Sequence, residues 1–442
     1  MNNIKFVKKA VTYLLVFLCI VLFASCKKDE TPPPSKINIL SPAANTSFQV
    51  FDTIEIKLLI ESQQPEVGLR ISLLDANYSP ASPINPWVVS SFETNVEATL
   101  HFLLVYEYLE SGNYYLYFKV TDQSGTVNTY RSIYIEGIHR AFEGVFIVSE
   151  VSANQTGIEK LGIDLTGEKI KIMAGNYAGS AIDSRNRNFF LAGKNSGNLT
   201  ALNTDSLSFE WDVPIVANPV QPYFTFLQQI NEVLYAGFYS GEINGYNPSG
   251  DLIFTTHADG LTFPNLMCHS GNLLVVSSTS RSNVFEYWLE TYFLASGVSN
   301  SKTKLLIKPI HLKALEDEKV LVFGNNQNSH IETKLLDPET GLITNPYQPF
   351  SLPDEKLKCA VNISENLTFL GLEGGIYLYD YQKSMSLLTT SLSPEILKWE
   401  DISQTILAAN GTSFFVLSTN GQILSEHDYS YPILNLLLHY NK

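Results

Sequence analysis

Eight histidines are scattered along the chain, His101, His139, His257, His269, His311, His330, His427 and His439, and no two stand at a metal-sharing spacing. Four carboxylates, Glu316, Glu365, Glu400 and Asp401, fall near the inner strands of a repeat described below. Two carboxyls about 5 to 9 Å apart are what glycoside hydrolysis needs. No Gly-x-Ser-x-Gly elbow, phosphate-binding glycine loop, Asp-x-Asp-x-Asp run or Ser-x-Asp-x-Gly-x-x-Trp box occurs. Asp183-Ser-Arg-Asn-Arg-Asn188 has a loosely cation-binding composition, but its two arginines favour a plain turn. A second set suits binding better than turnover. Tyr177, Tyr223, Tyr239, Asn326, Tyr347 and Trp399, with Phe224, Asn195, Asn325 and Asn328 beside them, fall in loops that enter innermost strands or join second strands to third. Aromatic rings interleaved with amides suit stacking on, and hydrogen bonding to, sugars or peptides. No catalytic residue, cofactor or metal site is assigned.

These positions take their meaning from the repeat. Asn231 to His257 reads as three short strands, Val233 to Phe238, Ile243 to Tyr246 and Leu252 to Thr255, parted by turns at Tyr239-Ser-Gly241 and Asn247-Pro-Ser-Gly250. The unit returns about seven times after residue 138. Its second strands begin near Val145, Phe189, Val233, Leu273, Val320, Leu367 and Ile406, at spacings of 44, 44, 40, 47, 47 and 39 residues. The copy around Phe285 to Gly297 is degenerate. Four strands in about 40 to 45 residues is the period of a propeller blade. Units two to seven each carry an innermost strand before the aligned one, such as Phe224 to Ile230. Unit one has none, and one strand, Ile433 to Tyr440, is left over at the C-terminus. This predicts that the leftover strand completes the first blade, so that both ends of the ring share one sheet and no strand edge is left open. Cys268 and Cys359 then lie on innermost strands of blades four and six. These are not neighbours, and a disulfide needs Cα atoms within about 7 Å, so both are expected as free thiols.

Residues 36–137 alternate with period two: Ile54, Ile56, Leu58 and Ile60, then Leu69, Ile71 and Leu73, then Tyr114, Leu116, Phe118 and Val120. About seven strands in this span fit a β-sandwich. The motif Leu109-Glu-Ser-Gly-Asn-Tyr114, followed by an alternating strand and Asp122-Gln-Ser-Gly125, resembles fibronectin-III and other immunoglobulin-like domains. That resemblance implies a structural Tyr114 whose hydroxyl ties to backbone across a corner, and a module that serves as a spacer.

The first 25 residues stand apart. Lys5, Lys8 and Lys9 precede an apolar run from Val11 to Phe23, which ends in Ala24-Ser-Cys26. This resembles the bacterial lipoprotein signal, implying an acylated Cys26. Lys27-Lys-Asp-Glu-Thr-Pro-Pro-Pro-Ser35 follows as a stiff tether. The Cys-Lys-Lys-Asp-Glu start is similar to the export tag of Bacteroidota surface lipoproteins, which implies an outer-membrane, surface-exposed protein, with a periplasm-facing one as the alternative. The formal charge is −15, and losing the leader with its three lysines makes it −18. An acidic chain without basic runs excludes a nucleic-acid ligand and electrostatic adhesion to anionic lipid.

The chain is thus expected to be all-β. A leader (1–25) and tether (26–35) precede an Ig-like sandwich (36–137) and a seven-bladed propeller (138–442) closed by the C-terminal strand. Ala201-Leu-Asn-Thr-Asp-Ser-Leu-Ser-Phe-Glu-Trp211 looks like a quinoprotein repeat, whose tryptophan packs between blades, and the whole repeat resembles WD40-like and quinoprotein-like propellers. The expected function is a non-catalytic envelope lipoprotein whose propeller face binds a protein or glycan. An exported glycoside hydrolase or lyase with carboxylates in the funnel is the alternative. A distant one is an outer-membrane assembly scaffold similar to BamB.

Overall fold

The computed structural model describes residue 33 and residues 35–442, apart from 64–66, 82–86, 93–95, 107, 216–220 and 259. The leader, Cys26 and most of the tether lie outside the described residues. The tether's last residue does not behave as a spacer. Ser35 is buried, and its N–H and Oγ–H both donate to the Asp122 carboxylate. Burial alone would raise the Asp122 pKa, but the bonds from Ser124 and Ser35 hold it at about 2.

Every regular element among the described residues is a strand, and they fall into two compact units that meet between His139 and Arg140. The first unit has two sheets. One joins Lys36–Ser41, Thr53–Glu61 and Val96–Leu103; the other joins Thr46–Gln49, Gly125–Glu136, Gly112–Asp122, Val67–Leu74 and Trp87–Phe92. The period-two pattern has its physical consequence here. Ile54, Ile56, Leu58 and Ile60 are all fully buried, while the residues between them face outward. They share one core with Leu69, Ile71, Leu116, Phe118 and Val120 of the other sheet. The short strand Thr46–Gln49 was not foreseen; it pairs parallel to Gly125–Glu136. The Tyr114 hydroxyl donates to the Glu110 carbonyl at 3.0 Å, the corner tie the motif implied.

The second unit contains seven four-stranded antiparallel sheets. Their innermost strands are Ile433–Tyr440, Tyr177–Asp183, Phe224–Ile230, Thr262–Ser270, Lys308–Ala314, Leu357–Asn362 and Ile396–Glu400. Each packs against the next, and the last packs against the first, around a central channel. This is a β-propeller. Burial is graded outward. Second strands such as Asn188–Gly193 and Val320–Asn325 are buried at every position, whereas the outermost Phe209–Val213 is mostly exposed. A strand covered on both faces reads as a continuous apolar run, which is why the second strands aligned most sharply.

The C-terminal strand stands where the leftover-strand argument put it. It pairs antiparallel with Phe142–Ser152, with Leu436 opposite Ile147 and Leu438 opposite Val145. Gly144 sits opposite His439 at φ 145°, and a Cβ there would lie 2.0 Å from the Leu161 carbonyl, so only glycine lets the strand Gln155–Leu161 pair on the other side. The fourth sheet, degenerate in sequence, is regular in structure; its third strand is Tyr287–Phe293.

Candidate functional site

With four antiparallel strands per sheet, connections alternate between two ends. Loops entering innermost strands, and loops joining second to third strands, form one rim, here the upper. Loops leaving innermost strands, and those joining third to fourth strands, form the lower rim.

On the lower rim, polar side chains mostly bind other parts of the fold. Glu400 is fully buried; its Oε1 accepts from Ile402 N at 2.9 Å, and its Oε2 from Ser403 N at 2.6 Å and from the Ser403 hydroxyl. Asp401 pairs with Arg140 at 2.7 Å and accepts from the Tyr440 hydroxyl at 3.1 Å, while the Arg140 guanidinium lies 3.6 Å from the centre of the Tyr440 ring. One carboxylate thus joins the start of the unit, its final strand and the seventh sheet. A hydrogen bond with the Glu316 carboxyl raises the Glu365 pKa. The Lys313 ammonium, its pKa lowered to about 8 by burial, donates to the Leu367 carbonyl and Thr368 hydroxyl, both at 2.9 Å, and so joins the fifth sheet to the sixth.

Among the described residues one cluster, Glu143, Asp205 and His439, has metal-ligand chemistry with donor atoms within 4.8 Å of one another. Arg187 at 2.5 Å and Lys160 at 3.8 Å already share the Asp205 carboxylate. A divalent ion would face both cations, so the group reads as an ion network around the closing strand. Asp183 caps its own turn, accepting from Asn186 N and Nδ2, and Arg185 pairs with Glu232. Trp211 bridges sheets as its motif implied. Its Nε1–H donates to the Pro248 carbonyl at 3.0 Å, and its ring packs between Phe190 and Tyr246. Gly250, at φ 89°, would place a Cβ 2.7 Å from that ring.

The channel encloses about 530 Å3, walled by innermost strands of the first, second, third, fourth and seventh sheets. Lys398 points into it without an ion-pair or hydrogen-bond partner among the described residues, and enclosure by protein lowers its ammonium pKa. On the neighbouring fifth and sixth innermost strands, burial lowers the His311 imidazole pKa to about 4 and raises the Cys359 thiol to about 12. Cys268 is raised likewise to about 12, and both cysteines are free thiols. An uncharged imidazole and a protonated thiol near the Lys398 amine give hydrogen-bonding groups.

The six aromatic and amide residues singled out in sequence are not one surface. Tyr177 lines the channel, its hydroxyl 3.0 Å from Ser180 Oγ. Tyr223 packs edge-on against Phe224 and Phe238. Tyr239 lies on Phe263, with the Arg281 guanidinium 4.9 Å from its ring centre. Asn326 ties its own loop, its Oδ1 accepting from the N–H groups of Asn328 and His330. Tyr347 is 71% exposed in a loop leading to the sixth sheet. Trp399 is a correction. It stands one residue from the lower end of Ile396–Glu400 and packs on Phe369, because it belongs to the strand and not to the loop that enters it. Phe224, grouped with them, is fully buried.

The upper rim instead carries a groove that residue type alone did not reveal. From the channel mouth at Asn265 and Leu266 it runs past Val284, Phe285, Tyr287 and Lys308. It opens into a cleft of about 560 Å3 between the fourth and fifth sheets, where Leu306, Asn326 and Lys356 also contribute. Phe285 is 81% and Leu306 74% exposed. Two signals were readable beforehand. The degenerate fourth copy carries Val284-Phe285 where the third carries Ser240-Gly241, and Lys304, Lys308 and Lys356 cluster at loop ends of an acidic chain.

Fold and rim chemistry together define a β-propeller with a groove on one face. No protein-family model matches the chain, and no curated protein matches it. Among solved structures it is similar to hydrazine synthase of Kuenenia stuttgartiensis, at 8% identity and TM-score 0.46, covering 66% of this chain and 97% of that one. It is similar to BamB from Moraxella catarrhalis, at 10% identity and TM-score 0.41, covering 67% and 91%. The WD40 domain of Neurospora crassa Pan2 is similar at 12% identity and TM-score 0.46, covering 59% and 82%. At such identities the propeller is read from its sheets.

Proposed function

We propose that this chain is a non-catalytic outer-membrane lipoprotein, anchored through an acylated Cys26 and displayed at the cell surface. In this reading an immunoglobulin-like sandwich spaces a seven-bladed propeller from the membrane, and the propeller's upper rim binds a protein partner. The observation that carries the binding role is the contrast of rims: the upper groove presents exposed apolar side chains, whereas the lower-rim carboxylates are taken up in caps, pairs and ring closure. Exposed apolar residues lining a concavity are what a partner covers. The leader and the Cys26 motif support the address.

Affinity capture of the mature protein from cell envelopes, run beside a Phe285→Ser variant, tests the binding role. The expected result is a partner retained by the unaltered protein and lost with the variant. Identical capture by both, or turnover of envelope glycans by the purified protein, rejects it. A Cys26→Ala variant is expected to leave the membrane fraction, and protease applied to intact cells is expected to remove the propeller.

A further inference from the structure

The cleft between the fourth and fifth sheets has an electrostatic character opposite to that of the chain. The protein carries a formal charge of −15, yet Lys304, Lys308 and Lys356 all line this one cleft. Lys304 pairs with Glu286 at 3.2 Å. The ammonium groups of Lys308 and Lys356 have no ion-pair or hydrogen-bond partner among the described residues, and both side chains are exposed. Phe285 and Leu306, both exposed, line the same cleft as an apolar shelf.

The floor is rigid. The buried Asn325 donates from Nδ2 to the Leu357 carbonyl at 2.8 Å and accepts from Leu357 N at 2.9 Å, fastening the fifth sheet to the sixth under the cleft. A preformed shelf with unpaired cations above a fixed floor selects by charge and by apolar contact together.

Building on the protein-binding role proposed above, we infer that this cleft takes an acidic, extended segment of the partner, with an apolar side chain seated on Phe285 and Leu306 and carboxylates meeting Lys308 and Lys356. An aliphatic residue such as Leu306 favours an apolar side chain over the flat face of a sugar. The negative field of the whole protein opposes approach to polyanionic surfaces such as nucleic acid or an anionic bilayer, while two local cations still serve a short acidic segment.

The test uses a fluorescein-labelled peptide that alternates glutamate with phenylalanine and leucine, against its glutamine counterpart, read by anisotropy with the mature protein. The glutamate peptide is expected to bind, to weaken as salt rises, and to lose on the order of tenfold in affinity in a Lys308→Glu/Lys356→Glu double variant. That variant is expected to melt with the unaltered protein, since both side chains are exposed. No binding of the glutamate peptide, equal binding of the glutamine peptide, or an unchanged affinity in the double variant overturns the inference. So does lysine-dependent binding to phosphatidylglycerol vesicles without peptide binding. Envelope capture separates the two levels. Sensitivity to Phe285→Ser with indifference to the lysines removes the charge assignment and leaves the binding role standing; indifference to both removes the role itself.

Discussion

On the lower rim Glu400 uses both carboxylate oxygens to cap its own turn, and Asp401 joins Arg140 to Tyr440. On the upper rim Lys308 and Lys356 stand without partners among the described residues, beside an 81% exposed Phe285. The same repeating sheet thus presents two kinds of loop end. Where the strands of different sheets must be held in a closed ring, polar groups are used inside the fold. On the upper rim Asn325 is used in the same way, but Lys308 and Lys356 remain available among the described residues. The difference teaches that carboxylates near the inner strands of a propeller can be taken up in the fold's own caps and ties, as Glu400 and Asp401 are.

The largest effect should follow from removing the lower rim's purpose altogether. Truncation at residue 432 deletes the strand paired along Phe142–Ser152, exposes its edge and strips Leu436 and Ile433 from the core they share with Leu407 and Phe414. Calorimetry is expected to show loss of the cooperative transition of the propeller. A truncated protein that melts like the intact one would break the comparison at its root. Trp211→Ala comes next, at about 3 kcal/mol, because it removes ring burial between two sheets and one of the two donors to the Pro248 carbonyl, leaving Asn188 Nδ2 alone there. Glu400→Ala is expected to cost about 2 kcal/mol by leaving the Ile402 and Ser403 N–H groups unpaired, with capture by the upper rim unchanged in whatever fraction stays folded.

Acid should weaken closure before it affects the groove. Burial holds His439 and His311 neutral in the folded chain down to about pH 4, whereas in the unfolded chain they take up protons near 6.5. Between these values the unfolded state binds more protons, so stability is lost as pH falls from about 6.5 towards about 4, on the order of 1 kcal/mol per unit for each ring. Denaturant melts at pH 7 and pH 5 read this directly, and His439→Phe is expected to flatten the slope. The smallest effect belongs to the upper rim. Phe285→Ser should change stability by less than about 0.5 kcal/mol, since its ring is exposed, while abolishing capture. A large loss of stability there would mean that the upper rim too is structural.

Much of the architecture was readable in the chain because strands covered on both faces must be continuously apolar. Val233–Phe238 and Val320–Asn325 begin at the residues where alignment placed them. The leftover strand Ile433–Tyr440 was legible for a related reason: a ring of antiparallel sheets with one short blade and one spare strand has an economical closure. The short edge strand Thr46–Gln49 escaped because four residues with alternating burial give no periodicity to read.

The site was far less legible. Aromatic and amide residues at upper loop ends were identified by type, yet Tyr223 and Tyr239 pack on neighbouring rings, Asn326 ties its own loop, and Trp399 faces the wrong end. Residue type states what a side chain can do, and neighbours from other sheets decide whether it is already doing it. Sequence alone determined the repeat, its closure and the free thiols, because each depends on local pattern or on order along the chain. Tertiary structure decided that Glu400 caps its own turn, that Asp401 ties Arg140 to Tyr440, and that Phe285, Leu306, Lys308 and Lys356 converge on one cleft. Those residues come from separate loops, and only the packing of one sheet against the next brings them together.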